Sequence, residues 1–210
     1  TFGSLNPLIQ KNQLQFEHTL GKTTQRWSIG ENIQYHFGLL NQEDMWSGPK
    51  ISFFGRYYLK DQSIKYGKDW FIQMKIGGAY LTNPFADATD LYLYDASGLP
   101  INDPNGNHIQ ILNNNNYWLS YGGGLSVGYK KVSCKGWVWE AFLGYHYWSN
   151  PNYFTSEFKT WIEDENNTFA SDQNLNNTLY DVENGLDQVW FWSYGFPVDV
   201  QFKVGKILGW

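Results

Sequence analysis

Apolar and polar residues alternate with a period of two along much of the chain. In residues 196–204 the even positions are Phe, Val, Val, Phe and Val, whereas Asp199, Gln201 and Lys203 occupy odd positions between them. Successive side chains of a β-strand point to opposite faces, so this pattern predicts a strand with one apolar and one polar face. Six further segments show the same alternation: residues 13–20, 27–37, 50–59, 70–81, 117–131 and 137–148.

Short and long connections alternate between these segments. Short links lie at 21–26, 61–68 and 132–135, and longer ones at 39–49, 82–116 and 150–188. Strand 13–20 must begin on the long-loop rim, so an eighth strand is expected within residues 1–8, with Asn6 and Pro7 near the turn. The sequence therefore predicts one all-β domain over residues 1–210. We expect an eight-stranded antiparallel transmembrane β-barrel with short periplasmic turns and long extracellular loops, about 82–116 and 150–188.

Composition excludes several other classes of protein. Aromatic residues make up 19% of the 210 residues, and Asp, Glu, Lys and Arg together make up 17%, against about 25% in ordinary soluble domains. No segment approaches the roughly 18 consecutive apolar residues that a membrane-spanning helix requires. The net charge of −5 lacks the basic footprint of a nucleic-acid-binding protein. Cys134 is the single cysteine, and the sequence predicts no disulfide, metal site or cofactor.

A soluble β-sandwich or a lipocalin-like barrel would alternate equally well. Three features favour the membrane barrel: strands of about 10 to 15 residues, a polar face rich in Gly and Ser, and aromatic residues near the strand ends. We therefore expect an integral protein of the bacterial outer membrane, in contact with lipids. The expected membrane-interface aromatics are Trp27, Trp70, Tyr117, Trp137 and Trp210.

Charged residues of both signs fall on the polar faces of the predicted strands. An eight-stranded barrel is just wide enough for its interior to be filled by side chains. We therefore expect these charges to pair in a buried network rather than to line a conducting pore. The residues concerned are Glu17, Arg56, Lys75, Lys130, Glu140, Asp199 and Lys203.

Two polar residues, Glu31 and His18, fall on the apolar faces of their strands. A charge near the bilayer centre costs about 2 kcal/mol, and less toward the interfaces. Either a β-bulge shifts the register, or a neighbouring outer-membrane protein covers that side of the barrel. The second alternative makes Glu31 and His18 candidates for contact with a partner.

Candidates for catalysis and ligand binding are few. His146 and Ser149 are the nearest to a catalytic pair, but residues three apart in a strand point to opposite faces. Residues 103–107 resemble a fragment of a calcium loop without its closing carboxylate, and we interpret them as a turn. Residues 163–187 are expected to form a solvated outer loop. Aromatic residues that would suit a glycan platform or a docking surface are Trp46, Tyr92, Tyr94, Tyr153 and Trp161.

Short motifs along the chain resemble those of small outer-membrane barrels of Bacteroidota that are grouped as a domain of unknown function, within the OmpA/OmpX-like barrel group. The resemblance implies the barrel fold, the outer-membrane location and outward-facing long loops, but no activity. Trp210 matches the terminal aromatic residue of bacterial barrels, with Leu208 and Val204 on the same parity and Lys206 departing from it. The motifs lie at residues 6–8, 14–17, 28–30, 56–59, 121–129 and 202–205.

A second resemblance, to the lipid A deacylase barrels, is carried by residues 77–82 and by His146 with Ser149 and Asn150. That family has its His and Ser two residues apart, whereas here they are three apart. From the sequence we expect a non-enzymatic accessory or scaffold subunit of a larger outer-membrane complex, serving nutrient uptake, secretion or barrel assembly. The alternatives are a lipid A acyl hydrolase and a surface glycan receptor or adhesin.

Overall fold

The computed structural model of the chain is dominated by one antiparallel sheet. It describes residues 2–4, 11–20, 26–36, 46–60, 67–83, 92–93, 95, 97, 99–103, 105–113, 115–163 and 175–206. Strands alternate their side chains as the sequence predicts, and the all-β antiparallel class is confirmed. The strands are β1 (Phe2–Ser4), β2 (Lys11–Leu20), β3 (Trp27–His36), β4 (Gly48–Tyr58), β5 (Gly67–Thr82), β6 (Tyr117–Val132), β7 (Trp137–Trp148) and β8 (Val198–Lys206).

Each strand pairs with its neighbours in sequence, and the sheet curls so that its two edges meet. The registers from β2 to β8 run without interruption. The short strand β1 joins the edges, because Phe2 pairs with Leu14 of β2 and with Val204 of β8. The connections β2–β3, β4–β5 and β6–β7 lie at one end, the short-turn end, and the longer connections lie at the other, the loop end.

The curled sheet has a polar interior and an apolar outer wall. Arg56, Glu140 and Lys203 are almost completely buried inside it, whereas Met74, Leu119 and Tyr121 on the outer wall are 62%, 66% and 69% exposed. A soluble sheet protein has the opposite arrangement, with its large apolar side chains inside. Glycine and serine recur on the inner face of β6, at Gly124, Ser126 and Gly128, where they leave room for the larger side chains.

Described residues of the longer connections pack together in a cap over the loop end. This loop cap contains α1 (Ser156–Glu163), α2 (Leu175–Trp190) and a π-helical turn (Phe191–Gly195). Thr155 caps α1 by accepting a hydrogen bond from the Phe158 N–H. No helix among these described residues is long and apolar enough to cross a membrane. The buried core of the cap comprises Trp46, Ala79, Leu81, Ile109, Trp148, Tyr153, Phe154, Phe158, Ile162, Trp190 and Tyr194.

Two expectations for this region are wrong. Residues 163–187 were expected to be a solvated loop, but residues 175–190 are helical, and residues 164–174 lie outside the described part of the chain. The last strand begins at Val198 rather than at Phe196, because the chain up to Gly195 is wound into the π-helical turn. The predicted eighth strand, residues 1–8, is represented by β1 alone, since residues 5–10 are outside the described residues.

Gly128 and Gly55 provide a matched test of this packing. A Cβ atom added to Gly128 would lie 2.3 Å from Phe71 Cζ and 2.7 Å from Phe142 Cβ inside the sheet, whereas one added to Gly55 on the outer wall meets nothing within 4 Å. We expect Gly128→Ala to lower the free energy of unfolding by about 1–3 kcal/mol through overpacking. Gly55→Ala should leave it unchanged or raise it slightly. Urea unfolding in detergent micelles measures both, and equal effects would contradict the assignment of the two faces.

Candidate functional site

Arg56 is the centre of a buried network inside the barrel near its short-turn end. Its guanidinium donates two hydrogen bonds of 3.0 Å to the two carboxylate oxygens of Glu140, one of 2.9 Å to Glu17, and one of 2.7 Å to Gln73. The planar group lies between the Phe54 and Phe71 rings, 4.6 Å and 4.3 Å from their centroids. A guanidinium suits this position because its donors are fixed in one plane and both of its faces can stack.

Glu17 is shared by four donors, which explains how its charge is tolerated inside the sheet. Besides Arg56, it accepts hydrogen bonds from Lys130 Nζ at 2.8 Å, from the Tyr58 hydroxyl at 2.6 Å and from the Ser28 hydroxyl at 2.6 Å. Lys130 Nζ also lies 3.8 Å from Glu140. Two cations and two carboxylates therefore form one compact group with balanced charge.

The other charges predicted to face inward pair in the middle of the barrel. Lys75 donates to Asp199, and His146 Nδ1 lies 3.6 Å from the same carboxylate. Lys203 donates to Gln15 at 2.7 Å, and its ammonium lies 4.6 Å from the centroid of the Phe142 ring. The structure thus places all seven residues inside the sheet and gives each a charged or polar partner.

Aromatic rings close the loop end of the interior. The ammonium of Lys50 lies 3.4 Å from the centroid of the Trp148 ring and 5.0 Å from that of Tyr194. Tyr194 also contacts His36, at 4.7 Å between centroids, and Trp190, at 5.0 Å. Ions therefore fill the short-turn half of the barrel, and a cation against aromatic rings packed edge-on or tilted to one another fills its loop end.

His146 and Ser149, the nearest to a catalytic pair in the sequence, are not brought together. The Ser149 hydroxyl accepts a hydrogen bond from the Tyr121 N–H and lies 3.4 Å from the Ser120 hydroxyl, whereas neither ring nitrogen of His146 is hydrogen bonded to Ser149. The register of β6 with β7 is continuous, so no bulge brings His146 and Ser149 together. Among the described residues, no group of three or more His, Cys, Asp or Glu side chains is arranged to hold a metal ion.

The loop residues offer less exposed aromatic surface than the sequence suggested. Trp46 and Tyr153 are buried in the core of the loop cap, so neither can be a glycan platform. Tyr92 is exposed and Trp161 half-buried, and Tyr94 lies outside the described residues. Residues 103–107 form a turn in which the Asp103 carboxylate accepts the backbone N–H groups of Asn105 and Asn107. These hydrogen bonds lower the pKa of Asp103.

Two bands of aromatic residues ring the outer wall. At the short-turn end, Trp27 packs on Tyr57 and Trp70 on Tyr129, with centroids 4.9 Å and 5.4 Å apart. Trp137 lies in the same band, half-exposed. At the loop end the second band includes Tyr117, whose ring stacks on that of Tyr80 at 4.7 Å. Trp210, the fifth predicted interface aromatic residue, lies outside the described residues.

Glu31 and His18 are exposed on the outer wall. Glu31 pairs in register with Phe16 on one side and Phe53 on the other, and the ladders that β3 forms with β2 and β4 continue unbroken past it. The structure therefore excludes a bulge as the reason why these two side chains face outward.

Sequence reasoning missed several members of the interior network. Tyr58 and Gln73 alternate with the apolar residues of their strands and so belong to the polar face. The alternation could therefore have identified them, but only charged residues were considered for the network. Lys50 lies at the edge of its predicted strand and contacts rings from the far end of the chain. Asp69 lies between the predicted link at 61–68 and the predicted strand at 70–81, yet it accepts the backbone N–H groups of Lys60 and Trp70.

No family model matches the chain, and neither a curated protein nor a solved structure was found to be similar to it. The site must therefore be interpreted from its own geometry.

Removal of Arg56 tests whether the network holds the barrel together. Arg56→Met removes the guanidinium that is hydrogen bonded to both Glu140 and Glu17, and we expect a loss of about 3–5 kcal/mol in the free energy of unfolding. The double variant Arg56→Met/Glu140→Met should lose less than Arg56→Met alone, because the uncompensated carboxylate is removed as well.

The control is Lys159→Met, which breaks the exposed pair between Lys159 and Glu183 at 3.5 Å. Such a surface pair contributes at most about 1 kcal/mol. Denaturant unfolding followed by tryptophan fluorescence measures all three variants. A loss in Arg56→Met/Glu140→Met that is as large as that of Arg56→Met, or larger, would show that the two side chains do not stabilise the fold as a pair.

Proposed function

We propose that the chain is an eight-stranded outer-membrane β-barrel of the small Bacteroidota type, with its short turns in the periplasm and its loop cap outside the cell. We further propose that it has no catalytic activity and acts as an accessory or scaffold subunit of a larger outer-membrane complex. The observation that carries the proposal is the inverted sidedness of the sheet, with ions and amides inside and large apolar side chains outside.

The outer wall favours lipid over water as its surroundings. Isoleucine, leucine, valine, phenylalanine and methionine occupy its middle, and leaving such side chains in water forgoes about 1.5–3 kcal/mol each. The two aromatic bands flank this apolar zone, as expected at the two interfaces of a bilayer. A closed sheet is also a backbone arrangement that leaves no unpaired strand edge in hydrocarbon.

The interior favours a scaffold over a channel or an enzyme. Arg56, Lys75 and Lys203 project into the space that a solute would have to cross, and each is held there by a hydrogen bond to an opposite charge or an amide. The loop cap covers the other end with a core of its own. The outer wall and the surface of the loop cap remain accessible to other molecules, and both can bind other proteins.

A pair of leucines of equal exposure distinguishes a membrane barrel from a soluble one. Leu143 lies in the middle of β7 and is 60% exposed, and Leu99 lies in the loop cap and is 63% exposed. We expect Leu143→Arg to lower stability in lipid bilayers by about 2–4 kcal/mol, and Leu99→Arg to change it little. Urea unfolding in liposomes measures both variants. A soluble barrel would tolerate both changes equally, so equal small effects would refute the membrane location.

Mild detergent extraction tests the accessory role. We expect the chain to migrate on a native gel with other outer-membrane proteins, in fixed proportion to it across independent preparations. A small barrel known to be monomeric, extracted in the same way, provides the control for trapped lipid and detergent. Migration of the chain by itself, like the control, would argue against a subunit role while leaving the barrel assignment intact.

A further inference from the structure

We infer that the outer wall around Glu31 is a docking site for a membrane-embedded segment of another protein, one that brings a lysine or arginine to the depth of the bilayer centre. This inference rests on the proposed function and specifies the chemistry of the partner. The site is a groove of about 440 Å³ on the outer faces of β2 to β5, which we call the Glu31 groove. Its outward-facing lining includes His18, Ile29, Glu31, Phe53, Met74 and Ile76.

Glu31 lies halfway between the two aromatic bands. On the same face of β3, Trp27 is four residues toward the short-turn end and Tyr35 is four residues toward the loop end. Both neighbouring strands oppose Glu31 with phenylalanine, Phe16 on β2 and Phe53 on β4. In a bilayer the carboxylate would therefore lie near the centre, where the free-energy cost of a charge is greatest. It is four residues from either aromatic band and cannot easily reach the interface.

Neither of the two outward-facing polar groups of the groove has a partner within the described part of the chain. Lys75 also lines the groove, but its ammonium donates to Asp199 inside the barrel. Glu31 forms no hydrogen bond or ion pair with the described residues, and His18 on β2 forms none either. This contrasts with Glu17, which is next to His18 in sequence but inside the barrel and accepts four hydrogen bonds. Each of the seven charged residues predicted inside the barrel has a charged or polar partner. The Glu31 carboxylate on the outer wall has none among the described residues, and this points to a cation supplied by another molecule.

A depression in the outer wall at Gly55, close to Glu31, gives the groove a shape that a partner can fill. Gly55 pairs with Ile29 and Met74, and a Cβ atom there would meet nothing within 4 Å, so the wall has a depression bordered by larger apolar side chains. Two membrane-embedded surfaces gain little from the hydrophobic effect when they associate, because lipid tails are equally apolar. Close packing at small residues and polar pairs across the interface drive such association instead, and the Glu31 groove offers both.

Two other occupants fit less well. A second copy of the chain, related by a two-fold axis normal to the membrane, would meet the groove with its own outer wall. Among the described residues, that wall carries no lysine or arginine midway between the two aromatic bands. A lipid presents its charged groups at the interface and only hydrocarbon at the depth of the groove. A protein segment can carry a basic side chain at that depth, paired with an acidic group as intramembrane charges usually are.

Synthetic transmembrane peptides test the inference with a defined probe. Two peptides of about 20 Leu and Ala residues differ only at the central position, which is Lys in one and Leu in the other. The barrel is labelled at its single cysteine, Cys134, which is exposed in the β6–β7 turn, and is reconstituted into phosphatidylcholine liposomes. Energy transfer from labelled peptide to labelled barrel gives the apparent affinity as a peptide-to-lipid ratio.

We expect the Lys peptide to bind about tenfold more tightly than the Leu peptide, the ratio that one polar pair in a membrane provides. Glu31→Leu should remove this preference. Gly55→Leu fills the depression and should weaken binding of both peptides. In the matched control Glu31→Leu/Leu143→Glu, a carboxylate is placed on the outer wall of β7, away from the groove, and the preference should not return.

Equal affinities of the two peptides for the unmodified barrel would overturn the inference, and so would a preference that persists in Glu31→Leu. Full recovery in the Leu143→Glu control would show that any outer-wall carboxylate suffices and that the groove has no role. Membrane insertion is measured first, by quenching of the outer-wall tryptophans with lipids brominated in mid-chain. An unquenched protein refutes the proposed location together with the inference, whereas a quenched protein without the preference refutes the inference alone.

Discussion

The pairing of Arg56 with Glu140 and Glu17 is the interaction on which the rest of the structure depends. A narrow closed sheet with apolar groups on its outer wall leaves only polar groups to fill its interior, and buried charges are tolerated only when they are paired and hydrogen bonded. Arg56 lies on β4, and its partners Glu17, Gln73 and Glu140 lie on β2, β5 and β7, respectively. One side chain therefore meets this requirement for four strands. The small residues of β6 then become necessary, because they leave space for this group.

The two ends of the interior are closed by different chemistry. At the short-turn end, ions and hydrogen bonds define one arrangement, since Arg56 donates four hydrogen bonds to four different oxygen atoms of Glu17, Gln73 and Glu140. At the loop end, the ammonium of Lys50 lies against the rings of Trp148 and Tyr194. The loop cap completes this second closure with residues from three separate connections.

Sequence alternation predicted seven long strands to within a few residues, because a period of two is a local property. It did not predict α1 and α2, since the described apolar anchors of α1, Phe158 and Ile162, pack on residues distant in sequence. Parity also placed the seven charges inside. It could not assign their partners: Arg56 meets Glu140 across 84 positions, a pairing set by the curl of the whole sheet. The alternation also predicted that Glu31 faces outward. Only the continuous register of β3 with β2 and β4 shows that no β-bulge is responsible.

Strand β1 gives the ring one joint that is unlike the others. Its register shifts between Phe2 and Ser4 against both β2 and β8, whereas β5 and β6 pair along sixteen residues each without a shift. A shifted register interrupts the regular spacing of the hydrogen bonds between strands. The wall is therefore expected to open at this seam before it opens between the regularly paired strands.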